Sequence, residues 1–195
     1  MKIILIVHQF FPEYSSGTEV LTYQTAKELQ KRGHDVEVLT AFPADPQTAR
    51  ERPFMSYQYD GLPVLRYNHN AQIMIPNKNV MEFLYYNLSY AERFREHVRK
   101  SEPDLVHAFH FMRSSISTVD VCLGNDIPIV FTPTDFWAIC ILCQLRLHDH
   151  ELCSGPDKDG VNCIRHLVAE NSILPGWVKR VVSVLPRRLI GVLSQ

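Results

Sequence analysis

Ile3-Ile-Leu-Ile-Val7 is an unbroken apolar run that begins directly after Met1-Lys2. A strand with one face in water alternates apolar and polar residues. A strand without that alternation fits a sheet covered on both faces, which is the situation of a parallel sheet flanked by helices. The run ends in a long loop, His8-Gln-Phe-Phe-Pro-Glu-Tyr-Ser-Ser-Gly17, and a helical pattern starts at Thr18 with Val20, Leu21, Ala26 and Leu29 to one side. The loop tip is small (Ser15, Ser16, Gly17), so backbone N–H groups there can face a ligand. The helix behind the tip adds the partial positive charge of its aligned peptide dipoles.

The rest of the first two thirds continues the alternation. Gly33 follows Lys31-Arg32 and ends the helix over 18–32, and Asp35 to Thr40 is the second strand. A loop with Pro43, Pro46 and Pro53 comes next. Two alternating stretches, 54–59 and 62–67, then flank Asp60-Gly61 and predict a hairpin. A second helix is expected over 79–100, its aromatic stripe (Phe83, Tyr85, Tyr86, Tyr90, Phe94) serving as packing. Pro103 stops it. A strand over 104–109, a helix over 113–123 and a strand over 127–132 complete the series. The expected fold is an α/β three-layer sandwich with a mostly parallel, Rossmann-like sheet, all of 1–195 forming one domain. Residues 134–165 hold four of the five cysteines and read as an insertion.

Composition narrows the function classes. With 195 residues, 46% of them apolar, the chain can bury a core. A net charge of −1 argues against nucleic acid as a partner, since that role needs a basic surface. No secretory leader and no membrane-length apolar stretch are visible, so a cytoplasmic location is expected. Cysteines in that compartment are read as reduced thiols or metal ligands rather than disulfides. A dinucleotide cofactor is not expected. Its glycine fingerprint directly follows the first strand, whereas here only Gly17 is present, well past it.

Three motifs stand in order. The opening, "MKIILIVHQFFPEYSSGTEVLTYQTAKELQKRGHDVEVLTAFP", carries Phe11, Pro12, Gly17, Glu19, Ala26, Leu29, Gly33, His34, Val36, Val38 and Thr40. "PDLVHAFHF" ends the fourth parallel strand, and "TPTDFWAIC" follows the fifth. Together they resemble the N-terminal, acceptor-side domain of a GT-B glycosyltransferase of the family-4, glycogen-synthase-like group.

That resemblance implies a retaining glycosyltransferase that moves a hexose from a nucleotide-sugar donor to a glycan or lipid-linked acceptor. It implies that the loop around Ser16, Gly17 and Thr18 lines the substrate cleft, with Ser16 standing where the family has the first of two glycines. It makes His110 the active-site histidine that hydrogen-bonds the transferred sugar; a core histidine is the alternative, and His107 fits that role better. Asp135 is a candidate for acceptor hydroxyls or, equally, for a turn cap. No metal is expected at the reaction centre. The donor-binding second domain has no room after residue 165, so the chain is expected to be inactive alone. A non-catalytic carbohydrate- or partner-binding module of the same ancestry is the alternative.

Two features lie outside the motifs. Cys140, Cys143, Cys153, Cys163 and His166 have spacings that permit a structural zinc without requiring one, packing thiols being the other reading. From Trp177 to Leu193 apolar residues interleave with Lys179, Arg180, Arg187 and Arg188, with no acidic residue. That tail is either a helix closing the domain onto the sheet or an interfacial segment giving peripheral contact with an anionic inner membrane leaflet.

Overall fold

The computed structural model describes residues 1–70, 85–140, 142–147 and 150–186. The chain divides into two compact units, residues 1–134 and 135–195.

The first unit is built on six strands: β1 (Lys2–Val7), β2 (Asp35–Pro43), β3 (Phe54–Tyr59), β4 (Leu62–His69), β5 (Leu105–Ala108) and β6 (Ile129–Phe131). They lie in the order β3-β4-β2-β1-β5-β6. Every neighbouring pair is parallel except β3 and β4. β1 is central, with Ile3 beside Val36 on one side and Leu105 on the other, and its residues Ile4 to Val7 have no exposed surface. This double burial is what the uninterrupted apolar run requires.

Helices cover both faces. On one, Ile3, Leu5 and Val7 pack with Ala26 of α1 (Gly17–Lys31) and with Val36, Val38, Leu62 and Val64. On the other lies a later helix, separated from α1 by the short α2 (Pro46–Glu51). This is α3 (Leu88–Ser101), which buries Tyr90, Ala91, Phe94 and Val98 as one stripe. The Tyr90 ring meets Tyr67 of β4 at 5.1 Å, and His97 Nε2 bonds Glu37 of β2 at 2.7 Å. Phe94 has no exposed surface, so truncating it to alanine removes about 3–5 kcal/mol of packing. The three-layer α/β arrangement with a mostly parallel sheet is therefore present.

Local signals explain the element ends. α1 closes on Gly33 at φ 83°, a left-handed position that glycine adopts without a Cβ clash. Asp60 and Gly61 both have positive φ, the two-residue turn that suits a twisted hairpin. Tyr23 of α1 donates to the Asp60 carboxylate at 2.6 Å and Lys27 pairs with it at 3.1 Å, so the turn is clamped to the helix.

Several boundaries differ from expectation. The proline loop contains α2, whose N-cap Asp45 accepts from Gln47 N and Thr48 N at 3.0 Å, with Pro46 in the first turn. α3 starts at Leu88 because Asn87 caps it, accepting from Tyr90 N at 3.0 Å. Of the expected 79–100 helix, residues 79–84 lie outside the described residues. α4 (Ser117–Leu123) starts four residues later than expected, because Arg113 and Ser115 sit at φ 68° and 61° and cannot continue a right-handed helix.

The second unit contains α5 (Val161–Glu170) and α6 (Gly176–Val184) behind an irregular stretch with one antiparallel bridge, Arg146 to Leu152. The stretch from Asp135 through α6 groups as one unit, so the expected insertion and the tail helix belong together. Asn162 ties the irregular stretch to α5, accepting from Asp157 N at 3.0 Å and donating to Gly155 O at 2.8 Å. α6 buries none of its residues completely. The remainder of that tail, with Arg187 and Arg188, lies outside the described residues. No helix among the described residues is long and apolar enough to cross a membrane.

Candidate functional site

The carboxyl ends of β1 and β5 lie side by side at the centre of the sheet, where open α/β sheets keep their ligands. The chain leaves β1 at His8 and enters the long loop. The loop's first half is fixed to the hairpin: the Tyr57 hydroxyl donates to Phe11 O at 2.6 Å, and the Phe11 ring stacks on Tyr59 at 4.9 Å. Arg66 adds a 3.0 Å ion pair to Glu13 while lying 4.5 Å over the Phe42 ring. These contacts deliver Ser15 and Ser16 to the start of α1.

Ser16 is the N-cap of α1, at φ −82° and without a side-chain cap bond. Its backbone is ordinary extended chain, so serine in place of a glycine carries no strain there. Gly17 opens the helix, and an added Cβ on it would meet nothing within 4 Å. The Ser16 side chain does not cap the N–H groups of the first turn. Thr18 donates to Thr134 Oγ1 at 3.0 Å, and Thr134 in turn donates to Phe109 O at 3.3 Å. This chain of bonds ties the start of α1 to the residue before His110.

His110 is buried, with 2% of its surface exposed. Its Nδ1 accepts from Met112 N at 3.0 Å. With that lone pair engaged, the neutral ring carries its proton on Nε2, which is then a hydrogen-bond donor. The His8 ring lies against His110 at a centroid distance of 4.3 Å, and His8 Nε2 stands 3.6 Å from Glu19 Oε1. Glu19 has no exposed surface, and among the described residues neither of its carboxylate oxygens has a hydrogen-bond partner. Arg113 completes the group, donating to His8 O at 3.3 Å. Burial holds the Arg113 pKa below its usual value, while Tyr14 and Glu19 act in the opposite direction.

The structure therefore joins Ser16, Gly17, Thr18 and His110 through α1, Thr134 and the ends of β1 and β5. It adds three residues that the sequence motifs did not assign to the site: His8, Glu19 and Arg113. Glu19 stood within the opening motif and His8 at its start, so both carried a signal; Arg113 carried none. His107, which the sequence suggests as the better core histidine, is half-buried. Its Nε2 pairs with Thr132 Oγ1 at 2.9 Å, its ring stacks on Phe109, and burial lowers its pKa. Asp135 belongs to the second unit, where its carboxylate accepts from Trp137 N at 2.8 Å and caps a turn. It also hydrogen-bonds Cys143, whose thiol is pushed up to about 11, mainly by burial.

Comparisons with known proteins agree with this fold. Residues 15–155 match the model of Glycosyltransferase Family 4. Among solved structures, sucrose-phosphate synthase from Thermosynechococcus elongatus is similar at 16% identity and TM-score 0.50, with 87% of this chain and 40% of that one covered. The catalytic domain of starch synthase IV from Arabidopsis thaliana, bound to ADP and acarbose, follows at 17% identity and TM-score 0.45, covering 68% of this chain and 34% of that one. The chain thus spans well under half the length of these structures. No curated protein sequence matches it. The family model covers the loop tip, α1 with Glu19, His110 and Arg113, while His8 precedes the matched range, and on that match the chain belongs to glycosyltransferase family 4.

Proposed function

We propose that this chain is the acceptor-side half of a retaining glycosyltransferase that moves a hexose from a nucleotide-sugar donor to a glycan or lipid-linked glycan. The observation that carries the reading is the cluster at the carboxyl ends of β1 and β5: His110 with its Nδ1 occupied, His8 against it, and Glu19 buried behind His8. His110 Nε2–H is suited to a hydroxyl of the transferred sugar. An ionised Glu19 carboxylate favours the positive charge developing on that sugar as the bond to phosphate lengthens. The uncapped N–H groups of α1 sit at the opposite pole of the problem and suit electron-rich oxygens. A second, donor-binding half supplies the nucleotide contacts, so the isolated chain binds nucleotide sugars weakly.

The test is a protein that joins this chain to its donor-binding half, supplied with UDP- and GDP-hexoses and a panel of glycan acceptors. Transfer with the donor's anomeric configuration kept in the product, read by proton NMR, supports the proposal. Transfer with inversion, or no transfer from any donor, overturns it. Calorimetry on the isolated chain supplies the second arm, where micromolar binding of a nucleotide sugar contradicts the division of labour.

A further inference from the structure

The second unit has very little core. Among its described residues, Trp137 and Val161 are its only buried hydrophobic side chains, although the unit has to hold two helices and an irregular stretch in place. Small units short of apolar burial need another staple, either a disulfide or a metal. None of the five cysteines, all of them among the described residues, is in a disulfide.

Four potential ligands from three separate stretches of this unit line a single small cavity of about 30 Å³: Cys140, Cys153, Cys163 and His166. The remaining lining is mostly aliphatic. Cys163 and His166 are three residues apart on α5, so they share one helix face. Cys153 is carried by the loop ending at Gly155, whose φ of 92° bends the chain and whose carbonyl is held by Asn162 of α5. Cys140 is placed by a tight turn, its N–H donating to Phe136 O at 2.7 Å. The nearest cysteine in sequence, Cys143, is not part of this lining, and its thiol pairs with Asp135 instead. Of the five candidate ligands in the sequence, the fold therefore selects four and sets Cys143 apart.

We propose that Cys140, Cys153, Cys163 and His166 bind one zinc ion that holds the second unit together. Three thiolates and an imidazole form a closed tetrahedral set of the kind structural zinc takes, with no position left for a substrate. The thiols lose their protons to solvent on binding. No three of the four have their ligand atoms all within 4.8 Å of one another, so the ion draws them inward and fastens the 140 turn and the 153 loop to α5. Glu170 stands 3.8 Å from His166 Nε2, close enough to serve as an outer carboxylate once Nδ1 takes the metal.

The test uses the whole chain and the metals themselves. Protein purified without chelator is expected to hold close to one zinc per chain by elemental analysis. Replacing the zinc with Co²⁺ should give a thiolate-to-cobalt charge-transfer band with tetrahedral visible bands. Cys153→Ser and Cys163→Ser should each lower bound zinc to about one-tenth or less, whereas Cys143→Ser and Cys122→Ser should leave it unchanged. His166→Cys should keep the ion and strengthen the thiolate band, which guards against loss through misfolding alone. The proposal is overturned if the chain holds no zinc and cobalt gives no thiolate band. It is equally overturned if Cys143→Ser loses as much metal as Cys153→Ser.

Discussion

His8 Nε2 lies 3.6 Å from Oε1 of Glu19, a carboxylate with no exposed surface and no hydrogen bond among the described residues. A buried carboxylate in that condition costs several kcal/mol of solvation, of which its place in the first turn of α1 offsets only a part. A buried carboxylate without a hydrogen bond beside the histidine pair fits a functional group better than a packing one. Glu19→Gln keeps the shape and removes the charge. In a protein joining this chain to the proposed donor-binding half it is expected to lower kcat by about tenfold or more with KM little changed, while the melting temperature holds or rises. Unaltered kcat would show the carboxylate to be structural.

Under the proposed function His110 Nε2–H donates to the transferred sugar as its charge develops, so His110→Ala is expected to lower kcat far more than it raises KM. Steady-state kinetics on the joined protein reads the split. A rise in KM alone would make His110 a ground-state binding residue.

How much of this was legible in the sequence depended on whether the signal was local. β1 was legible because burial on both faces leaves no polar residue in Ile3–Val7, and the hairpin because Asp60-Gly61 permits two positive φ values in succession. The start of α4 was not, since nothing in the residue types of Arg113 or Ser115 marks a left-handed backbone. His110 could be placed from its position just past a strand. Its partners could not, because Arg113 meets His8 across 105 residues of chain and Glu19 joins them only through the turn of α1. The second unit was the least legible. Its helices bury almost nothing, so apolar periodicity carried no information about where they pack.

Tyr57 is the post that fixes the loop before Ser16. Its hydroxyl donates to Phe11 O, and burial, with Glu13 adding to it, pushes its pKa up to about 12. The bond therefore persists through any working pH. Tyr57→Phe is expected to cost about 1 kcal/mol in urea unfolding and to speed amide exchange at residues 11–16. Unchanged exchange there would mean that the ring stacking on Phe11 holds the loop without the bond.

His69 gives the first unit a pH dependence. Burial, with Arg113 adding to it, lowers its pKa from 6.5 to about 4. Between those values the unfolded chain binds a proton that the folded chain does not, so stability is whole above about pH 6.5 and falls as pH drops towards 4. The loss approaches roughly 3 kcal/mol from this group. Urea midpoints at pH 7 and pH 5 should differ for the native chain and differ less for His69→Gln. Identical differences in both would remove His69 from the account.

The last prediction concerns α6. Trp177 is 70% exposed and Val184 76%, and the helix carries Lys179 and Arg180 with no acidic residue. An apolar helix face bordered by cations suits the surface of an anionic bilayer, where each basic residue contributes on the order of 1 kcal/mol. The chain is therefore expected to co-sediment with vesicles containing phosphatidylserine at low salt, to be released at high salt, and to ignore vesicles of phosphatidylcholine alone. A version ending at Leu174 should lose this association. Trp177 fluorescence supplies an independent reading, because insertion of the indole shifts its emission to shorter wavelength. Equal sedimentation of the two chains, or an unshifted emission with bound vesicles, would leave the α6 face as an exposed helix with no role at a membrane.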